Sequence, residues 1–331
     1  MRHGFLLLLA TMALASVPTK LRAVLGGSGS AIMKEAAVVD AVLGLVSKKP
    51  SETVLAYLGT ATYDFETNRE AQVAEFRARG VAIEPLDVAL TTPSPRAVEA
   101  ALARADVVLV SGGNTLFAVD RWARCGVTSA LRAAAERGVV LCGGSAGAIC
   151  WFDAGHSDSM DPDWYADLML AGGGAADPAY AVLPGSKPWQ YIRCPCLGLL
   201  PGLCCPHHDR TQSNGVLRST DFDAMLRRHP GELGVCIDHH AALVVDGSGN
   251  YEVLTLAGKE GSRVEGADAP DFSGAGSPAI WLKRVVDDAV AATLLPARGR
   301  LADVLEPATA IVEDLRVGAA RGENPSDRDR V

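Results

Sequence analysis

Two short stretches carry residues whose types and spacing can do chemistry. In Gly143-Gly144-Ser145-Ala146-Gly147 a serine stands at the centre of G-x-S-x-G, between the apolar runs Val139–Cys142 and Ala148–Phe152. Tiny neighbours let the backbone take a strained strand-to-helix turn that lifts the hydroxyl of Ser145 above a sheet, where it can attack a carbonyl. The amide of Ala146 would open the following helix and donate to the oxyanion formed in that attack. The second stretch, Ser111-Gly112-Gly113-Asn114, follows the apolar run Val107–Val110. The Gly113 amide is placed to complete an oxyanion hole and Asn114 to orient substrate. The alternative is a glycine turn in which Asn114 or Thr115 caps the next helix.

Both stretches need strands to present them. From Arg22 the chain alternates β-rich runs with helical patterns, which predicts an α/β fold with a mostly parallel sheet covered by helices on both faces. The predicted strands are Ala23–Gly26, Val54–Leu58, Val81–Leu86, Val107–Val110 and Val139–Cys142. Pro85 cannot donate to a ladder and sends the third of these to the sheet edge. Helical patterns fall at Ala31–Val46, Asn68–Arg79, Pro95–Ala105 and Thr128–Arg137, and an apolar helix is expected after Ser145. Gly80 and Gly138 sit where left-handed C-terminal caps belong, and Ser94-Pro95 is a helix start.

Beyond Ser159 the pattern loosens, with sheet-like runs at Leu203–Cys205, Gly234–Ile237 and Ala241–Val245. One domain is expected over 21–257, then a loosely structured extension over 258–331 whose charged end, Arg316–Val331, reads as disordered. Residues 1–20 form a separate N-terminal segment: Arg2 and His3 precede an apolar run that ends in Ala13-Leu14-Ala15. This is either a short signal peptide or an extension without a function. The compartment is accordingly cytoplasmic or, with a signal peptide, the secretory pathway.

The 331 residues are 48% hydrophobic and 21% charged, with a formal net charge of −8. The pI of about 5.4 and the lack of Lys/Arg clusters exclude a nucleic-acid or anionic-membrane surface. The N-terminal apolar run is too short to span a bilayer. The eight cysteines include Cys194-Pro195-Cys196 and Cys204-Cys205, without the spacing of a zinc site, so no metal is expected. Cys142 and Cys150 read as small buried hydrophobes, and disulfides among the others remain open if the chain is secreted.

Taken together, Ser111-Gly-Gly-Asn114, Gly144-Ser-Ala-Gly147 and Cys205-Pro-His207 resemble, in that order, motifs of dipeptidase E and its relatives. The runs Ser145–Phe152 and Cys205–Asp209 are most similar to one branch of that family, and the likeness covers roughly Ala23 to Val253. The resemblance implies a class I glutamine-amidotransferase-like fold and a serine peptidase, without cofactor, that removes N-terminal aspartate from short peptides. It implies His207 as the base, from the Pro-His pair. If the segment is extended, His207 and His208 point to opposite sides and one alone can face Ser145. The acid expected after the nucleophile helix is Asp158, with Asp153 and Asp209 as rivals. The arginine that grips an aspartyl carboxylate is Arg218, with Arg210 as the alternative. Asp238-His239-His240 departs from the relatives, which often carry a carboxylate at the position of His239, and this weakens the case for strict aspartyl specificity. A cyanophycinase-like or other amide hydrolase with the same triad, and a binding protein that keeps the fold without catalysis, are the competing functions. The expected partner is a short peptide; a homodimer is left open.

Overall fold

The computed structural model describes residues 17–161, 189–312 and 314. In chain order these form β1 (Arg22–Gly26), α1 (Ser30–Met33), α2 (Ala36–Gly44), β2 (Val54–Leu58), α3 (Glu66–Ala78), β3 (Ala82–Pro85), α4 (Pro95–Arg104), β4 (Val107–Val110), α5 (Thr115–Arg124), α6 (Val127–Arg137), β5 (Val140–Gly144) and α7 (Ala146–Ile149). There follow β6 (Phe152–Ser157), β7 (Ile192–Pro195), β8 (Leu200–Cys205), α8 (Arg218–Arg228), β9 (Gly234–Ile237), β10 (Ala241–Asp246), β11 (Asn250–Thr255), β12 (Ile280–Val286), β13 (Ala289–Leu294) and β14 (Arg298–Arg300). The N-terminal segment before residue 17, most of the stretch after Asp161 and the charged C-terminal end lie outside the described residues.

The strands make two sheets. One has eight strands in the order β14-β11-β10-β1-β5-β4-β2-β3, the other six in the order β13-β12-β9-β8-β6-β7. Strands β1, β5, β4, β2 and β3 run parallel to one another, while β10, β11 and β14 extend the first sheet antiparallel. A parallel sheet needs both faces covered, and the strand sequences provide for it. Val24, Leu55, Tyr57, Leu109 and Cys142 pack with Ile32, Val39, Val73 and Phe76 on one side. Leu25, Leu58, Val108 and Leu141 pack with Val98, Leu102, Trp122 and Leu131 on the other. Strand β3, with Pro85 at its end, is the edge strand that its proline predicts.

Local signals account for several boundaries. The Ser94 hydroxyl accepts from the amide of Ala97 and caps α4, with Pro95 at its first position. Gly138 ends α6 at φ 81, in the left-handed region that glycine enters without penalty. Three expectations are corrected. The single helix over Ala31–Val46 is two, because Glu35 is extended and starts α2 afresh. The helix after Ser145 is one turn long and gives way to β6 at Phe152. The region after Gly258 is no loose extension throughout: β12 and β13 form a hairpin whose turn residues Asp287 and Asp288 both have positive φ, the geometry of a two-residue turn matched to strand twist. That hairpin completes the second sheet and β14 the first. All eight cysteines are free thiols, seven of them buried. No helix among the described residues is long and apolar enough to cross a membrane.

Candidate active site

The carboxyl ends of six strands, drawn from both sheets, converge on one place. Gly27-Ser28 follows β1, Ser111-Gly112-Gly113 follows β4 and Ser145 follows β5 in the first sheet. Asp158 follows β6, His207 follows β8 and Asp238-His239 follows β9 in the second. This edge is where open α/β sheets bind ligands, because the strands diverge there and loops can close over the gap. The seam between the sheets is bridged by backbone: the His207 amide, after β8, donates to the Gly27 carbonyl, after β1, at 2.8 Å.

Ser145 has φ 56 and ψ −119, outside the regions that ordinary residues occupy. Its amide donates to the Gly26 carbonyl at 3.1 Å, and its carbonyl accepts from Ala148 and Ile149. The residues around it must be tiny: a Cβ on Gly144 would stand 1.7 Å from the Ser28 carbonyl oxygen. Gly113 is constrained as tightly, with φ 114 and only 2.3 Å between a Cβ and the Ala61 oxygen. Ser145, Gly113, Asp158 and His207 all line one cavity of about 240 Å3, together with Ser28, Thr62, Asn68, Gln72, Gln212 and His239. Ala146 begins α7 directly beside Ser145, with an amide in the first helical turn that lacks an intrahelical acceptor.

The two adjacent histidines separate, but on a turn that follows β8 and not by the alternation of an extended segment. His207, at φ 48, lines the cavity. His208 is fully buried, with Nδ1 at 3.3 Å from Asp238 Oδ1. Asp238 in turn accepts from the Ser262 amide and hydroxyl and from the Ala279 amide, so it serves as a structural node. Burial, then the charges of Arg218 and the neighbouring His239 and Arg210, holds His207 well below the ordinary histidine pKa. Burial also lowers His239, to about 4.

Asn114 and Arg218 lie away from the cavity lining, and Asp158, which lines it, has another partner than the one expected. Asn114 does not line the cavity: its Oδ1 accepts from the Phe117 amide at 3.0 Å, capping α5, and its Nδ2 donates to the Tyr63 hydroxyl at 3.2 Å. The substrate-orienting role expected of it is therefore corrected to a helix cap. Arg218 opens α8 and is fully buried, away from the cavity where it was expected to grip a substrate carboxylate. Its Nη1 donates to Asp158 Oδ2 at 3.2 Å, its Nη2 to the His156 carbonyl, and its guanidinium lies over the Tyr191 ring at 4.8 Å. Asp158 is thus turned to Arg218, and the contact expected between it and His207 is made instead by His239, whose Nδ1 is 2.8 Å from His207 Nδ1. The rival acids are occupied elsewhere: Asp153 accepts from the Gly202 amide and Asp209 from the His239 amide. The sequence reading did not single out Ser28, Asn68, Gln72 or Gln212 as wall residues. The run Gly26-Gly27-Ser28-Gly29 after an apolar strand was the one signal available for them.

Fold and site together define an α/β protein of the class I glutamine-amidotransferase-like kind, with a serine on a strained strand-to-helix turn at the sheet edge. The family model for peptidase family S51 matches residues 23–253. The chain belongs to peptidase family S51, a family of serine hydrolases. It is 31% identical over 309 residues to a Trypanosoma brucei brucei protein named G2/mitotic-specific cyclin-1, covering 87% of this chain and 89% of that one. It is 28% identical over 185 residues to the uncharacterized peptidase YgaJ of Bacillus subtilis, covering 56% of this chain and 67% of that one. A peptidase structure from an acI-B1 actinobacterium shares the fold at a TM-score of 0.52 and 14% identity, with 86% of this chain and 98% of that one covered.

The lowered His207 pKa has a kinetic consequence. With His207 as the expected base, which must be neutral to accept a proton, kcat/KM is expected to fall with acid only below the ordinary histidine value of 6.5. A pH–rate profile with its acid midpoint at or above 6.5 would contradict this environment for His207. Stability follows the same sign: below 6.5 the unfolded chain takes up protons that native His207 and His239 refuse, so folding weakens as pH falls toward their native values.

Proposed function

We propose that the chain is a serine-type peptidase acting on short peptides, with Ser145 as nucleophile and His207 as general base. The observation that carries this reading is the strained Ser145 turn and His207 lining one small cavity where the two sheets meet. The Ser145 Oγ–H proton passes to His207 as the Oγ–carbonyl bond forms, and the carbonyl electrons move onto oxygen. The amides of Gly113 and Ala146 are the donors for that oxyanion. Collapse breaks the C–N bond, the departing amine takes the proton from His207, and water then releases the acyl group by the same route.

The cavity's size suits a peptide of few residues. Its one lining carboxylate among the described residues, Asp158, gives Oδ2 to Arg218, and its other oxygen suits the ammonium of a free N-terminus, which supports an exopeptidase. The aspartyl preference implied by the family motifs needs a cation at the substrate side chain, and no Lys or Arg lines the cavity among the described residues. The reading best supported is therefore a peptide whose first side chain is neutral and polar, met by Ser28, Thr62, Asn68, Gln72 or Gln212.

Two measurements test this. Fluorophosphonate labelling reads the serine chemistry, and an unlabelled wild type that cleaves no peptide would remove it. Kinetics on Asp-Leu and Asn-Leu read the specificity, with Asp-Leu expected to have no advantage. A preference for Asp-Leu of about tenfold or more, the effect of a charge-assisted pair with the carboxylate, would restore the aspartyl reading.

A further inference from the structure

We infer that His239 is the positioning partner of His207, taking the place that a carboxylate holds in Ser-His-acid sites. This rests on the serine-hydrolase reading above and concerns the third member alone. The two Nδ1 atoms lie 2.8 Å apart, with ring centroids at 4.9 Å and planes inclined by 47°. Two imidazoles can approach that closely through nitrogen only with one proton between them, since two lone pairs or two N–H groups would repel. When His207 donates that proton, its Nε2 carries the lone pair needed to accept from Ser145. His239 then accepts at Nδ1 and keeps its own proton on Nε2.

His239 is held for this purpose from both sides of its backbone. Its amide donates to Asp209 Oδ1 at 2.7 Å, and its carbonyl accepts from the Ser28 hydroxyl at 2.7 Å. Its ring packs edge-on against His240 at 4.6 Å. The charged and titratable groups facing the pair are Arg210, Arg218, His240 and Asp209. Burial, then His240 and Arg210, disfavours a positive charge on His239, so it stays neutral and remains an acceptor while His207 cycles through its imidazolium form. Asp158 is committed to Arg218 and does not compete.

A neutral acceptor steadies an imidazolium less than a carboxylate does, because hydrogen bonds to charged acceptors are about twice as strong. The arrangement therefore fixes tautomer and ring direction while leaving His207 a weak base, which matches the acid-shifted behaviour of its surroundings.

The test is the rate of fluorophosphonate labelling at Ser145 against pH, in the wild type and in His239→Ala, His239→Gln and His239→Glu, each checked for native melting. His239→Ala is expected to slow labelling by about tenfold to a hundredfold, the effect of one hydrogen bond to a charged group. His239→Gln, which keeps an acceptor of similar reach, should recover part of that loss. His239→Glu should move the acid limb upward by a unit or more, a change that a merely structural role would not produce. A folded His239→Ala with the wild-type rate and profile, or a folded His239→Glu with an unmoved acid limb, overturns the inference while leaving the serine reading intact. A wild type that is not labelled at all overturns the serine reading and this inference with it.

Discussion

Replacement of Ser145 by alanine is expected to abolish peptide hydrolysis, by a factor on the order of 10^4 or more, with the fold retained. In the proposed mechanism this hydroxyl is the group that forms the covalent intermediate. Its loss leaves the oxyanion donors and the binding cavity, which together support only residual catalysis. The fold survives because the hydroxyl takes no part in capping α7, and the backbone bonds of residue 145 to Gly26, Ala148 and Ile149 do not involve the side chain. Alanine keeps the unfavourable φ of 56, whereas glycine adopts it freely. Ser145→Gly is therefore expected to be equally inactive yet more stable, by up to about 1–3 kcal/mol of released strain. Kinetics with urea unfolding of both variants decides the matter. More than about 1% residual activity in well-folded Ser145→Ala would assign the nucleophile elsewhere.

Loss of Arg218 is expected to act first on stability. The guanidinium is fully buried, and Asp158 opposite it has a side chain only 12% exposed, so the pair is removed from water almost entirely. Truncation to alanine strands a carboxylate at the cavity wall and leaves the His156 carbonyl without its donor. Breaking such a buried pair costs about 3–5 kcal/mol, and the partial access of Asp158 to the cavity places this case near the lower figure. The cavity left above Tyr191 adds to the loss. Replacing both partners by apolar residues, as in Arg218→Met with Asp158→Leu, should recover much of the stability because no lone charge remains. Denaturant titration of the single and double variants measures this. Should Arg218→Ala unfold within about 0.5 kcal/mol of the wild type and lose activity on Asp-initiated peptides alone, the guanidinium must reach substrate.

These outcomes turn on contacts between residues far apart in the chain, and that is where reading a sequence reaches its boundary. The strands Val54–Leu58, Val107–Val110 and Gly234–Ile237 fall where the apolar runs put them, because a strand buried on both faces must be apolar throughout. The helix start at Ser94, the left-handed end at Gly138, the edge position of β3 and the tight turn at Ser145 follow from local chemistry: a capping hydroxyl, a missing Cβ, a missing amide proton. The hairpin over Ile280–Leu294 was not legible, since two aspartates at positive φ form a weaker turn signal than Asn-Gly and the strands gain stability only by joining a sheet already built.

The site divides in the same way. The places of Ser145 and Ala146 after β5 and of Gly113 after β4 were readable because one strand end sets each of them. That Arg218 turns inward beneath Asp158 and that His239 meets His207 were decided by packing among the elements of the second sheet, and that His207 shares a cavity with Ser145 by the joining of the two sheets. Each of those placements depends on which way a side chain points from a strand or helix end toward an element distant in the sequence. Residue type and spacing set what a group can do; the packing of the sheets sets which partner it meets, because hydrogen bonds and charge pairs act over a few ångströms between residues dozens of positions apart.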